Sequence, residues 1–206
     1  AAVTAGAARV KELFAGAPCW TAGSTRPGEE ELVLEAHRLA AAKVPGLRLV
    51  LAPRHPERAG DVAALLRRAG VPFARWSEPL PFSMSPQVLL VDAMGVLSGL
   101  YPAGFAAFVG GTLVPGSGGH NVIEPAAAGV PVLFGPHTDA VTVESAALEQ
   151  AQGGKRVPDA SALADAVVAW AQDPAARATA ARRAREAASS FTGAGDRVFA
   201  WLSPLL

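Results

Sequence analysis

Short runs of β-branched and aliphatic residues alternate with longer segments of helical period at least five times along this chain. That alternation points to an α/β fold, a parallel sheet with helices on both faces. Residues 47–52 (LRLVLA) form a nearly continuous apolar run, as expected of a strand covered on both sides. Residues 19–23, 71–76, 88–91, 105–109 and 131–134 repeat the strand signal. The helix after the first strand has Pro27 near its first turn and acids at Glu29, Glu30 and Glu31, where the positive end of the helix dipole favours them. Its apolar positions Leu32, Ala36, Leu39 and Ala40 mark a core-facing side.

A second helix ends in Arg67-Arg-Ala-Gly70, and a short one is expected just after Asp92. From about Asp159 the strand signal fades, and the alanine-rich segments 159–171, 174–188 and 194–202 read as helices that cover or flank the sheet. Residues 1–17 are helical in pattern with no strand before them, which suggests a connector; residues 18–206 then form the domain proper. With 206 residues, half of them hydrophobic and 17% charged, the chain can build one sizeable core. Its 18 basic and 18 acidic residues balance, so no overall field draws it to nucleic acid, and an anionic ligand must be met locally. The single cysteine, Cys19, sits in an apolar run and has no partner for an internal disulfide, which is compatible with a reducing compartment. No stretch is long and apolar enough for a membrane span and there is no signal-peptide core, so the chain reads as soluble.

In an open α/β sheet, ligands bind beyond the carboxyl ends of the strands. Four segments are expected there: Gly23-Ser-Thr-Arg26, Pro53-Arg-His55, Met94-Gly-Val96 and Gly118-Gly-His-Asn-Val-Ile-Glu124. They supply glycines for close backbone approach, two arginines for anionic oxygens and a carboxylate suited to vicinal hydroxyls. Each also has a plainer reading. Asn121 and Glu124 have the spacing of a helix capping box. The glycines at 110, 111, 116, 118 and 119 could form an ordinary surface loop, since no GxxxxGK[ST] pattern is present. Arg54 could be a solvated residue at a strand end. His55, His120 and His137 are too scattered in sequence to argue for a metal, and the arginines at 177, 182, 183 and 185 suit a solvated helix face.

Taken in order, Ser24-Thr-Arg-Pro-Gly-Glu-Glu30, Pro53-Arg-His-Pro-Glu-Arg58, Asp92-Ala-Met-Gly95, Phe108-Val-Gly-Gly-Thr112, Gly118-Gly-His-Asn-Val-Ile-Glu-Pro125 and Gly135-Pro-His-Thr138 resemble the C-terminal half of 3-deoxy-D-manno-octulosonic acid (Kdo) transferases of lipopolysaccharide synthesis. The resemblance runs from about residue 18 to residue 140 and more weakly beyond. It implies a GT-B glycosyltransferase of two Rossmann-like domains, of which this one binds the donor CMP-Kdo. The other would bind the lipid A precursor and carry the catalytic base, so no catalytic residue is assigned to this chain, which by itself should be inactive.

By the same resemblance the cytidine nucleotide is held by Pro53, Arg54, Met94, Gly95, Val96, Asn121, Val122, Ile123 and Glu124. Ser24, Thr25, Arg26 and Gly111 are candidate donor-sugar contacts. We assign the phosphate to Arg54 and the N–H groups near Asn121, and the ribose hydroxyls to Glu124. The family often has His where this chain has Arg26, and an acidic residue where it has Val96. No cofactor, metal or nucleic-acid partner is implied; the expected location is cytoplasmic, with the full-length protein at the inner face of the inner membrane. The competing readings are a GT-B transferase or epimerase that uses a UDP- or GDP-sugar, and a non-catalytic nucleotide-binding module.

Overall fold

The computed structural model describes residues 2–79 and 86–191. In chain order, α1 (Ala2–Leu13) leads to β1 (Cys19–Thr25), α2 (Glu29–Ala41), β2 (Arg48–Pro53), α3 (Ala59–Arg68), β3 (Phe73–Arg75), β4 (Val88–Leu90) and α4 (Leu97–Leu100). The second half runs β5 (Ala107–Val109), α5 (Ile123–Ala127), β6 (Val132–Phe134), α6 (Thr142–Gln150), β7 (Gly154–Arg156), α7 (Ala160–Gln172) and α8 (Pro174–Ser189). The strands form one seven-stranded sheet in the order β3-β4-β2-β1-β5-β6-β7, and every pairing is parallel. The α/β fold with a parallel sheet expected from the sequence is therefore what the chain adopts.

The sheet is buried on both faces, and β2 shows why its sequence is almost uninterruptedly apolar. Leu49 and Leu51 point into a core shared with α2, α3 and α7, while Val50 and Ala52 point into a second core shared with α4 and with Val10 and Phe14 at the α1 end. Alternate residues of one strand thus serve opposite layers. A third cluster joins Val109, Val132 and Phe134 to Leu148 of α6 and to Ala184 and Ala188 of α8. Cys19 is buried, its thiol donates to the Ala103 carbonyl at 3.1 Å, and burial pushes its pKa up to about 12.

Several local readings change. The helix expected just after Asp92 begins at Leu97, because the Asp92 carboxylate accepts the backbone N–H and the hydroxyl of Ser77 at 2.9 and 2.7 Å instead of capping a helix. Helix α6 and edge strand β7 are additions to the sequence reading. The arginines of α8 are more engaged than a solvated face requires. Arg177 donates to the Trp170 carbonyl and lies over the Phe105 ring, Arg185 donates to the Ala128 carbonyl, and Arg183 bonds Gln152. The expected helix at 194–202 lies outside the described residues. None of the described helices is long and apolar enough to cross a membrane.

Candidate functional site

The central strand β1 is flanked by β2 on one side and β5 on the other, so the chain runs outward in one direction through β2 and β4 and later restarts in the other. That switch opens a crevice at the carboxyl ends of β1 and β5. Two irregular segments meet there. The register between β1 and β2 shifts between Gly23 and Thr25, and Ser24 at the shift adopts a left-handed conformation with φ 57°. Opposite it, the loop after β5 passes so close that a Cβ on Gly110 would lie 2.5 Å from the Ser24 carbonyl oxygen and 2.6 Å from the Thr25 Cα. Only glycine allows that approach.

The loop's shape is imposed by Glu29 at the start of α2. Its carboxylate, 0% exposed, accepts backbone N–H groups from Arg26, Gly111, Thr112 and Leu113 at 2.7–2.9 Å. Four main-chain donors supply the solvation that burial removes from the charge. Glu30 works in parallel: its carboxylate accepts the Thr25 hydroxyl at 3.1 Å and pairs with Arg58 at 2.8 Å. The Thr112 hydroxyl donates to the Val109 carbonyl and accepts the Gly135 N–H at 2.8 Å, tying the loop to the end of β6. The acids read from sequence as helix-dipole residues thus hold the site's backbone in place.

Between these walls lies a pocket of about 300 Å³ lined by Ser24, Arg54, Gly95, Leu97, Ser98, His120, Asn121 and Glu124. Five residues singled out in the sequence, Ser24, Arg54, Gly95, Asn121 and Glu124, therefore share one cavity. The Arg54 guanidinium is exposed and makes no hydrogen bond or ion pair among the described residues. Asn121 accepts the Ile123 N–H at 3.0 Å through Oδ1, in the turn just before Val122, the N-cap residue of α5, which is only part of the capping box its spacing suggests. Glu124 does not complete it. Its half-buried carboxylate has no protein donor among the described residues, and burial raises its pKa. Gly95, which lines the pocket, has φ 74° and open space where a Cβ would stand.

The remaining candidates are placed differently. Pro53 is buried at the end of β2, Val122 is fully buried, and Ile123 packs beside it in the core under α5. Met94 is 68% exposed. Val96 lines a neighbouring cavity of about 370 Å³ with Trp76, Arg9 and Gly6. Thr25 and Gly111 spend polar groups on Glu30 and Glu29. Arg26 borders an open recess of about 400 Å³ with Pro27, Val114, Pro115, Gly116 and Ser117.

His120 was set aside in the sequence as a loop histidine, yet it lines the pocket, and its Nε2 accepts from Arg26 Nε at 3.1 Å. Partial burial and the charges of Arg26 and Arg54 push its pKa down to about 4, so it is a neutral acceptor near pH 7. Among the described residues no three His, Cys, Asp or Glu side chains are grouped to hold a metal ion.

No family profile matches the chain. It is 40% identical over 190 residues to the 3-deoxy-D-manno-octulosonic acid transferase of Haemophilus influenzae, covering 92% of this chain and 44% of that protein. It is 37% identical to the Bordetella pertussis enzyme of the same name, over 92% of this chain and 46% of the relative. The chain thus spans about half the length of these homologues. Among solved structures, the C-terminal CMP-Kdo binding domain of WaaA from Acinetobacter baumannii superposes with a TM-score of 0.83 at 28% identity, over 90% of this chain and 97% of that one. The calicheamicin glycosyltransferase CalG4 shares the fold at 20% identity, with a TM-score of 0.54 over 92% of this chain and 44% of that one.

Proposed function

We propose that this chain, homologous over nearly its whole length to the 3-deoxy-D-manno-octulosonic acid transferases, is the donor-binding domain of a GT-B glycosyltransferase that takes Kdo from CMP-Kdo. The observation that carries this reading is the convergence of Arg54, Asn121 and Glu124 on one pocket, with the Arg54 guanidinium and the Glu124 carboxylate both without a partner among the described residues. A nucleoside monophosphate complements that set. Arg54 meets the phosphate, assisted by the Ser24 hydroxyl and the Asn121 amide, and Glu124 accepts from the two ribose hydroxyls. Gly95, on the pocket wall, faces the base.

In the transfer, the acceptor hydroxyl bonds to the anomeric carbon while the bond from that carbon to the phosphate oxygen breaks and CMP departs. Negative charge grows on the phosphate, and Arg54 is placed to stabilise it. The acceptor, a lipid A precursor, and the base that removes its proton belong to a second domain, which also brings the protein to the membrane. Without that domain the chain binds donor and transfers nothing.

A thermal-unfolding panel with CMP, UMP, UDP and GDP tests the reading. A ligand at about 100 times its Kd adds roughly 2.7 kcal/mol, or about 5–10 °C for a domain of this size. CMP is expected to give the largest shift. A larger shift with UDP or GDP would move the assignment to a diphosphate-sugar enzyme, and no shift with any of the four would favour a non-catalytic module.

A further inference from the structure

We propose that Arg26 recognises a carboxylate on the donor sugar and so selects sugar acids over neutral sugars; this rests on the donor-domain reading above. The guanidinium of Arg26 is held by two imidazoles. Its Nε–H donates to Nε2 of His120 at 3.1 Å, and its Nη1 lies 3.1 Å from Nε2 of His55. On its other side the His55 ring places Nδ1 3.4 Å from the Glu57 carboxylate. Each ring therefore turns an Nε2 lone pair to the arginine, and neither neutralises its charge.

A cation drawn partly out of water gains from an anionic partner. Among the described residues no Asp or Glu forms an ion pair with Arg26, and the two carboxylates nearest in sequence are committed elsewhere: Glu29 to four backbone N–H groups, and Glu30 to Thr25 and Arg58. The remaining N–H groups of the fork, including both on Nη2, have no acceptor among the described residues. A planar guanidinium oriented by its neighbours and lacking a counter-ion is preorganised for a bidentate anion.

Position identifies the anion. Arg26 borders the recess with Gly116 and Ser117 and bonds His120, which lines the nucleotide pocket with Arg54, and His120 feels the charge of both arginines. Two guanidiniums that act on one imidazole and have no carboxylate partner among the described residues call for two anionic groups on one ligand. A nucleoside monophosphate supplies one. An octulosonic acid attached to that phosphate supplies the second, a carboxylate, whereas a neutral hexose does not.

The test is calorimetric titration of the 206-residue chain with CMP, freshly prepared CMP-Kdo and the C1 amide analogue of CMP-Kdo. Wild type is expected to prefer CMP-Kdo over the amide by about 10- to 100-fold, the scale of one charge-assisted bidentate contact. Arg26→Gln should abolish that preference and leave CMP affinity within about two-fold, while Arg54→Gln weakens all three ligands. Arg26→Lys, which keeps the charge without the fork, should fall between and carries the test if the glutamine variant unfolds. Equal loss of CMP and CMP-Kdo affinity in Arg26→Gln would make Arg26 a phosphate ligand and overturn the proposal, as would survival of the carboxylate preference. Failure of wild type to bind CMP would instead remove the donor-domain reading, and the proposal with it.

Discussion

The Glu29 carboxylate accepts the backbone N–H of Leu113 at 2.8 Å across 84 residues of chain. The same carboxylate also holds the N–H groups of Arg26, Gly111 and Thr112, so the first turn of α2 and the loop after β5 behave as one unit. Glu29→Gln keeps the shape but presents an NH₂ to donors that need an acceptor. It should lower unfolding free energy by about 3 kcal/mol, the range for orphaning buried groups bonded to a charge. Urea denaturation checks this against Glu35→Gln, which removes only an exposed pair with Arg38 and should change stability by less than about 0.5 kcal/mol.

Glu124 predicts the opposite separation of binding from stability. Its carboxylate has no donor to lose among the described residues, and burial raises its pKa. Glu124→Gln should therefore melt at or slightly above the wild-type temperature while losing about ten-fold in CMP affinity, the scale of one charge-assisted contact. Wild-type CMP affinity should also fall as pH drops through the raised pKa, because the protonated acid no longer accepts from both ribose hydroxyls. Titrations at several pH values should show this dependence in wild type and its loss in the variant.

His37, 4% exposed, accepts the Trp20 indole N–H through Nδ1 at 3.2 Å; burial, assisted by the charge of Arg48, lowers its pKa from 6.5 to about 4. The unfolded chain therefore binds a proton that the native state refuses between those values. Its contribution, about 3 kcal/mol, is fully present above about pH 6.5 and is lost as pH falls to about 4. His120, lowered over the same window, adds to the slope. His37→Gln, whose carbonyl can still accept from Trp20, should reduce the slope of unfolding free energy against pH by about 1.4 kcal/mol per unit in that interval.

The close crossing of β1 and the β5 loop gives a steric prediction. Gly110→Ala sets a methyl group against the Ser24 carbonyl and the Thr25 Cα, both main-chain atoms that cannot swing aside. A loss of about 2–4 kcal/mol is expected, together with weakened CMP binding, because the displaced segments line the pocket. Gly60→Ala, which meets no neighbour, serves as the control for both measurements.

The sequence made legible those features that rest on local pattern. Apolar runs marked β2, β4 and β6 because strands covered on both faces have little room for polar residues, and Ser24, Arg54, Gly95, Asn121 and Glu124 were legible because their segments lie at or beyond the carboxyl ends of strands. Strand β7 was not, since Gly154-Lys-Arg156 is a three-residue edge strand whose side chains stay largely accessible and leave no apolar signature. Glu29 and Glu30 looked like ordinary first-turn acids, because their partners lie on β5's loop and on Arg58, far along the chain. His120 was undervalued for the same reason: its bond to Arg26 spans 94 residues and no spacing rule reaches that far. The capping-box spacing of Asn121 and Glu124 was real in form, yet Val122 is the N-cap of α5, no side chain caps it, and Asn121 only bonds the Ile123 N–H in the turn before the helix.

The pairing of Thr21 with Ala107 places the crevice between strands that meet late in folding. The chain from α2 through α4 lies between β1 and β5, and such a non-local pairing is expected after local ones because its loop-closure entropy must be met before its contacts reward it. A partly folded N-terminal half consequently offers no half-built pocket to a nucleotide. Ligand should act on the finished sheet alone, slowing unfolding while leaving the refolding rate unchanged, so that donor occupancy becomes a kinetic clasp on the native state.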